Sequence, residues 1–244
     1  ITHIPRMQVD LGSDPRTDIV RRMHRRLIAT FGRVIRPEDK RRDPVWTLVQ
    51  GVIGARAKTA VSNANADRLV AAYGSWQRVA EAEIETLTAC LQTATFPRMA
   101  AERLRDCLQA IIAERGGVSL DHLADLDTAE AMAWLERLPG VARKISAGVM
   151  NTSSFNRRAL VLDTGHRRVV QRMGLVPPRA DTTRAYDALM PLLPAEWSAE
   201  DIDEHHLLGK RLAQTICRPK RSDCPACPLR GDCELAGTME TGTP

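Results

Sequence analysis

The chain has few aromatic residues and no long hydrophobic run. Phe, Trp and Tyr make up only 4% of its 244 residues, so Leu, Val, Ile, Ala and Met must form most of the core. No run approaches the roughly 18 consecutive apolar residues that a membrane-spanning helix needs. The first ten residues also lack the apolar segment of a secretory signal peptide. The sequence therefore predicts a globular chain with no membrane partner.

Cysteine is not distributed as in a disulfide framework, because four of the six cysteines lie within one short segment. The spacing of these four is C-x6-C-x2-C-x5-C, and they are Cys217, Cys224, Cys227 and Cys233. Such short gaps let one loop direct four thiolates at one centre, as a zinc or iron–sulfur site requires. The clustering predicts a metal site in a protein of a reducing compartment.

Positive charge exceeds negative charge only modestly, with 35 Lys and Arg against 30 Asp and Glu. A net charge of +5 is compatible with a polyanionic partner but does not require one. Some of this charge lies between the first two clustered cysteines, at Arg218, Lys220 and Arg221. More lies on one face of the predicted helix 17–31, where a solvated surface and a DNA contact are both open interpretations.

Sustained strand alternation is also missing, and helical periodicity runs through most of the chain. Gly74, Pro97, Gly116-Gly117 and Pro139-Gly140 interrupt it. The predicted helices lie at about 17–31, 45–56, 59–73, 75–80, 84–92, 97–114, 120–124, 128–137, 143–150, 164–173, 182–192, 199–202 and 204–216. The pattern predicts an all-α fold.

The segment 135–144, LERLPGVARK, predicts two helices joined by a tight Pro-Gly turn. Such a hairpin exposes backbone amides at a helix N-terminus, which is a site for a phosphate. Lys144 would lie in the first turn of the second helix, where the positive end of the helix dipole favours its neutral, nucleophilic amine. From the hairpin alone, a solvated lysine is the simpler interpretation.

The segment 159–166, ALVLDTGH, delivers a carboxylate to the start of another helix. Asp163 is suited to be the N-cap of that helix, accepting hydrogen bonds from backbone amides. A carboxylate there is also suited to stabilise positive charge developing on a sugar. The two roles are compatible.

The hairpin LPGVARK, the Asp of VLDT nineteen residues after Lys144, and the cysteine spacing occur in this order along the chain. Together they resemble the endonuclease III family, the iron–sulfur branch of the helix-hairpin-helix base-excision DNA glycosylases. The resemblance covers about residues 45–235, and the cysteine spacing is its most specific element.

The resemblance implies an all-α fold of two helical lobes. A six-helix barrel with the helix-hairpin-helix motif is expected at residues 46–156, and an iron–sulfur cluster lobe at residues 1–45 plus 157–244. Double-stranded DNA containing a damaged or mismatched base would bind in the cleft between them, with the target nucleotide flipped out of the stack. A monomer is expected, cytoplasmic and nucleoid-associated if the protein is bacterial.

The resemblance further implies a bifunctional DNA glycosylase/AP lyase of base-excision repair. Lys144 would attack the sugar C1′ and form a Schiff base, and β-elimination would then nick the strand. Asp163 would stabilise the oxocarbenium-like state of the sugar. The expected bases are damaged pyrimidines, typically oxidised ones.

By the same resemblance, the four cysteines would hold a 4Fe–4S cluster, although zinc is the general alternative for a four-cysteine site. The cluster would fold its loop and so direct Arg218, Lys220 and Arg221 at DNA phosphates.

The other DNA-binding positions match the family less closely. Gly140 and Ala142 would offer backbone amides to a phosphate, next to Arg143, although the family usually has Gly at the position of Ala142. Arg56 stands where the family has the glutamine that fills the hole left by the flipped base.

Two more positions have open interpretations. Phe96 would be a wedge inserted into the base stack, with core packing as the alternative. His166 follows Gly165, which interrupts the usual family pattern, and it would face the pocket or contact a phosphate. A structural role is predicted for His205 and His206.

The sequence departs from the family pattern mainly at positions that would contact DNA, and two other functions stay open. One is a mismatch-type uracil/thymine or other modified-pyrimidine glycosylase of the same fold. The other is a non-catalytic iron–sulfur DNA-binding or redox module.

Overall fold

The computed structural model describes residues 14–241, and this part of the chain is helical. Between these limits there is no β-strand, and a single isolated bridge joins Arg42 to Ser153. The all-α prediction is confirmed. No helix between the same limits is long and apolar enough to cross a membrane.

The α-helices begin and end close to the predicted positions. They are α1 (Pro15–Phe31), α2 (Pro44–Ile53), α3 (Thr59–Tyr73), α4 (Trp76–Glu81), α5 (Ile84–Cys90), α6 (Pro97–Arg115), α7 (Thr128–Glu136), α8 (Arg143–Thr152), α9 (Thr164–Arg172), α10 (Thr182–Leu189), α11 (Ala199–Thr215) and α12 (Glu234–Thr241). Short 3-10 turns occupy Glu38–Lys40, Asp121–Ala124, Met190–Leu192 and Arg230–Asp232.

Local capping explains many of the helix boundaries. The Asp43 carboxylate accepts hydrogen bonds from the first amides of α2. Asp127 and Glu130 form a capping box at the start of α7. Gly116, with φ of 78°, ends α6 in the left-handed conformation that glycine adopts readily.

The helices pack in two groups. Helices α2 to α8 contact one another, with α2 against α3, α6 and α8, and α6 against α4 and α5. Helix α11 packs against α1 and α9 in the second group, and α8 contacts both α10 and α11. One hydrophobic core runs through both groups. The predicted boundaries, 46–156 against 1–45 plus 157–244, stay a prediction.

Helix α11 is continuous where the sequence suggested two shorter helices. Asp203 and Glu204, at the suggested break, are each only 2% exposed. Arg36 Nε donates to Asp203 Oδ2 at 2.9 Å, and Arg33 Nε donates to Glu204 Oε1 at 2.9 Å. These long-range ion pairs let the helix continue through two carboxylates that the sequence would leave at the surface.

Removing one partner of the Arg36–Asp203 pair should therefore lower the free energy of unfolding substantially, whereas replacing both partners should lower it much less. We expect Arg36→Met to lower the free energy of unfolding by about 3–5 kcal/mol, because it leaves a buried carboxylate without its counterion. The double variant Arg36→Met/Asp203→Leu should recover most of this loss. Urea unfolding followed by circular dichroism measures both.

Lys40→Met is the matched control, because Lys40 is exposed and lies 3.6 Å from the exposed Asp39. Its expected effect is within about 1 kcal/mol. A double variant no more stable than Arg36→Met would contradict the pairing argument.

Candidate active site and candidate cluster site

The segment between α7 and α8 forms the predicted hairpin turn. The Val141 amide donates to the Leu138 carbonyl, and Gly140 has φ of 79°, which favours glycine. Helix α8 begins after Ala142, an exposed N-cap residue whose side chain makes no capping hydrogen bond. The first amides of α8 are therefore suited to bind an anion such as a phosphate.

Lys144 and Asp163 line the same cleft. Lys144 lies in the first turn of α8, and Asp163 is the N-cap of α9. The polar side chains around them come from α2, α3 and α11, and include Thr47, Gln50, Thr59, Ser62, His206 and Lys210. The fold thus brings the two predicted catalytic residues into one polar cavity.

The Lys144 amine is biased toward its neutral form. Its side chain reaches solvent along the open cleft, but protein atoms enclose it on its other sides. This burial is the main reason that the pKa of Lys144 is lowered, and the charge of Lys210 adds to the effect while that of Asp163 opposes it. A lowered pKa increases the fraction of the amine that is neutral and nucleophilic.

The Asp163 carboxylate is biased toward its charged form. Burial opposes its ionisation, but the His166 amide, which donates to Oδ1 at 2.8 Å, and the nearby charge of Lys210 favour it, and the pKa of Asp163 is lowered. The same side chain caps α9 and lines the cleft. One position therefore serves both roles that the sequence allowed for Asp163, the capping of α9 and the placement of a charged carboxylate in the cleft.

Lys210 is a cleft residue that the sequence analysis did not single out. It lies on α11 four residues after His206, and its Nζ donates to Thr59 Oγ1 at 3.2 Å. This contact joins the two groups of helices across the cleft. Residues four apart on a helix share one face, so the position of His206 was the sequence signal that could have identified Lys210.

Arg56 and Phe96 lie together at the surface. The Arg56 guanidinium stands 5.9 Å from the centre of the Phe96 ring, and Arg56 has φ of 57°, which is uncommon for a residue other than glycine. Phe96 is 44% exposed and Met99 is 45% exposed, so the core-packing alternative for Phe96 is wrong. The predicted DNA contacts of Arg56 and Phe96 stay predictions.

Arg143 is engaged within the protein. It pairs with Glu136 at 2.7 Å and with Asp187, and its guanidinium lies 4.9 Å from the Tyr186 ring. These contacts hold the start of α8 to α7 and α10. A DNA contact of Arg143 stays a prediction, and it would compete with these pairs.

The predicted DNA contact of His166 is wrong, because its ring is 0% exposed. The ring packs so tightly on α11 that a Cβ atom at Gly209 would lie 2.7 Å from its Cδ2 atom. His166 does contact a cleft residue, because its backbone N–H donates a hydrogen bond to the Asp163 carboxylate. His205 and His206 are also buried, at 0% and 6% exposure.

The four clustered cysteines line one mainly apolar pocket near the end of the described chain. Arg172 links two of them, since its Nη1 atom donates to Cys217 Sγ at 3.2 Å and its carbonyl oxygen lies 3.3 Å from Cys233 Sγ. Among residues 14–241, no three His, Cys, Asp or Glu side chains converge on a point that would suit a single metal ion. All four thiols nevertheless line the same pocket.

The predicted basic residues of this loop, Arg218, Lys220 and Arg221, are exposed. Most of the arginine face of α1 is instead paired within the protein. Arg22 and Arg26 both bind Asp232 at 2.8 Å, and Arg21 binds Glu196. These pairs favour a structural role for that face over a DNA contact.

A hairpin with a free helix N-terminus, beside a cleft that holds an amine and a carboxylate, defines a helix-hairpin-helix protein with a candidate active site. A family model described as HhH-GPD superfamily base excision DNA repair protein matches residues 49–195. The chain belongs to this superfamily, which confirms the resemblance stated from the sequence.

Known proteins similar to the chain agree with this assignment. Endonuclease III of Thermotoga maritima is 26% identical over 217 residues, covering 89% of this chain and 93% of the relative. The DNA glycosylase/AP lyase ROS1 of Arabidopsis thaliana is 22% identical, over 65% of this chain but only 12% of its own length.

Solved structures establish the fold. A non-covalent endonuclease III–DNA complex matches with a TM-score of 0.72 at 22% identity, covering 92% of this chain and 98% of the other. A thermostable thymine-DNA glycosylase matches with a TM-score of 0.71 at 18% identity, covering 91% and 97%.

Burial of histidines behind the cleft predicts instability in acid. Burial lowers the pKa of His166 from 6.5 to about 4 and that of His206 to about 3. Below pH 6.5 the unfolded chain therefore binds protons that the folded chain does not, so the free energy of unfolding should fall as pH decreases from about 6.5 toward 4.

His166→Asn should reduce this fall by up to about 3 kcal/mol, measured by urea unfolding at a series of pH values. His122→Asn is the control, because His122 is only partly buried and should change the pH dependence less. Identical pH profiles for His166→Asn and the wild-type protein would refute this account.

Proposed function

We propose that the protein is a bifunctional DNA glycosylase/AP lyase that removes damaged pyrimidines, with oxidised ones as the leading class. The observation that carries this proposal is the meeting of Lys144 and Asp163 in one cleft beside the hairpin. Membership of a base excision repair superfamily supports it. We expect a monomer acting on double-stranded DNA.

In this proposal the neutral amine of Lys144 attacks C1′ of a flipped nucleotide. The glycosidic bond breaks, and its electron pair leaves with the base. Asp163 remains charged and stabilises the positive charge that develops on the sugar. The resulting Schiff base permits β-elimination and a nick. An amine with a lowered pKa next to a carboxylate with a lowered pKa is the pair that this sequence of steps needs.

We propose further that the four cysteines hold a 4Fe–4S cluster. The four thiols line one pocket, and the resemblance of their spacing to that of the endonuclease III family supports a cluster over zinc. When bound, the cluster would cross-link the loop, and the exposed Arg218, Lys220 and Arg221 would then face DNA phosphates.

A mismatch-type uracil/thymine glycosylase is a second candidate. The similarity of fold to a thermostable thymine-DNA glycosylase and the exposed Arg56 beside Phe96 favour it. Duplexes that contain thymine glycol, uracil opposite guanine, or thymine opposite guanine would separate the two candidates by relative excision rates.

The nucleophile is tested by borohydride reduction in the presence of an abasic-site duplex. We expect the wild-type protein to be trapped covalently and Lys144→Gln not to be trapped, because an amide side chain forms no Schiff base. Lys210→Gln should still be trapped, since Lys210 lines the cleft but is not the proposed nucleophile. Trapping of Lys144→Gln at the wild-type level would overturn the assignment. Binding without any nicking would favour a non-catalytic module.

The charge of Asp163 can be tested separately from its capping role. Asn is as good an N-cap as Asp, so Asp163→Asn should change stability little. It should nevertheless slow base excision by about 10²–10³-fold, because it removes the charge that faces the sugar. Asp181→Asn, at the N-cap of α10, is the matched control and should leave the excision rate unchanged. An equal effect of both substitutions would refute the electrostatic role.

The cluster is tested by analysis of iron and sulfide. The purified wild-type protein should contain about four of each per chain and absorb visible light. Cys224→Ser should lose most of this content, whereas Cys90→Ser, outside the pocket, should keep it. One zinc ion per chain without sulfide would contradict the cluster.

A further inference from the structure

Four buried histidines behind the cleft have no role in the mechanism above. We call them the histidine array: His24, His166, His205 and His206. They come from α1, α9 and α11, and none is more than 8% exposed. Buried histidines in such a group require a physical account, because each ring carries two polar nitrogen atoms.

The rings form a continuous series from the cleft to the far side of α11. His206 lines the cleft, and its ring centre lies 5.8 Å from that of His166. The His166 and His205 centres are 5.2 Å apart, and those of His205 and His24 are 5.5 Å apart. His24 Nε2 then lies 3.7 Å from Glu204 Oε2. The series therefore ends at a carboxylate on the opposite side of the helix.

Most of the ring nitrogens have no hydrogen-bond partner within residues 14–241. Both nitrogens of His166 and of His205 are in this position, as are Nδ1 of His24 and of His206 and the Oε2 atom of Glu204. Because neighbouring ring centres are 5.2–5.8 Å apart, transfer of a proton between rings requires a ring rotation or a water molecule that brings their nitrogen atoms into hydrogen-bond range. The array also lacks the convergence that a metal ion would need.

The proposed reaction creates a need for proton movement in this region. When the glycosidic bond breaks, the base leaves as an anion and must gain one proton. The Lys144 nitrogen forms a bond to C1′, and one of its protons passes to the sugar ring oxygen as the ring opens. The net requirement is one proton delivered from solvent to a cleft that bound DNA would cover.

We propose that the histidine array is a proton path between Glu204 and the cleft, in which the rings of His166 and His205 transfer protons without touching DNA. This proposal rests on the function proposed above. A neutral imidazole has one donor and one acceptor nitrogen, so a series of such rings can pass a proton along by exchanging tautomers. Glu204 Oε1 accepts from the half-exposed Arg33 side chain, so the buried Glu204 carboxylate lies just beneath the surface at the outer end of the series.

The surroundings keep the array neutral, as this role requires. Burial lowers the pKa of all four histidines. The charged groups that face the array are Asp163 from α9, Lys144 from α8, Asp201, Glu204 and Lys210 from α11, and Arg33 after α1. Asp163, Asp201 and Glu204 oppose the effect of burial, but burial is the larger one.

The test removes one ring and then restores it chemically. His205→Gly should slow single-turnover excision from a duplex with one thymine glycol by about 10- to 100-fold, less than the loss of a direct general acid. Added imidazole should restore the rate. Pyrrole, which has the same shape but no acceptor nitrogen, should not. Borohydride trapping on an abasic-site duplex should stay near the wild-type level, since no base has to be protonated.

The controls separate the failure of this proposal from the failure of the function. If the wild-type protein neither excises nor is trapped, the proposed function is wrong. If the wild-type protein is active and His205→Gly is equally fast, or pyrrole restores the rate as well as imidazole does, the array is structural and the proton path is wrong. His122→Gly, at a histidine packed on Trp134 away from the array, should show no response to imidazole.

If His205→Gly does not fold, His24→Gln interrupts the same path at its outer end. It should reduce the excision rate and raise the solvent deuterium isotope effect on excision, because proton delivery then limits the reaction to a greater extent. An unchanged isotope effect with an unchanged rate would overturn the proposal.

Discussion

The close packing of α9 on α11 is the constraint on which the candidate site depends. A Cβ atom at Gly209 would lie 2.7 Å from the His166 ring, and one at Gly165 would lie 3.0 Å from the Ala213 Cβ atom. A side chain at Gly209 would displace the His166 ring, and one at Gly165 would require its neighbours to move by a few tenths of an ångström. Because α9 begins at Asp163, this contact also fixes the carboxylate against the face of α11 that lines the cleft.

The opposite wall of the cleft depends on a similar approach. A Cβ atom at Gly51 would lie 2.8 Å from the Ile145 side chain, so α2 packs tightly on α8 next to Lys144. Burial in the resulting cleft outweighs the attraction of Asp163 and lowers the pKa of Lys144. Bound DNA would add two opposing effects, because phosphates favour the charged amine while the exclusion of water favours the neutral one. Close packing of the two walls thus sets the electrostatic balance of the site.

Local signals made much of this architecture predictable from the sequence. The hairpin, the capping position of Asp163 and the cysteine spacing all depend on residues close together in the chain. The burial of His166 and the continuity of α11 depend on contacts between distant segments, such as Arg33 with Glu204, which are 171 residues apart. No local pattern carries such information, so the sequence predicted that His166 faces the pocket or contacts a phosphate, and it predicted two helices in place of α11.

The cost of the histidine array argues that it serves more than stability. Each buried polar group without a partner destabilises the folded state by about 1–3 kcal/mol, and apolar residues of similar size would avoid this cost. Local departures from stable design are expected where a site needs particular chemistry. The array adjoins such a site, since the His166 backbone N–H donates a hydrogen bond to Asp163 and His206 lines the cleft. The same packing that fixes the carboxylate therefore also keeps a series of neutral imidazoles directly behind it.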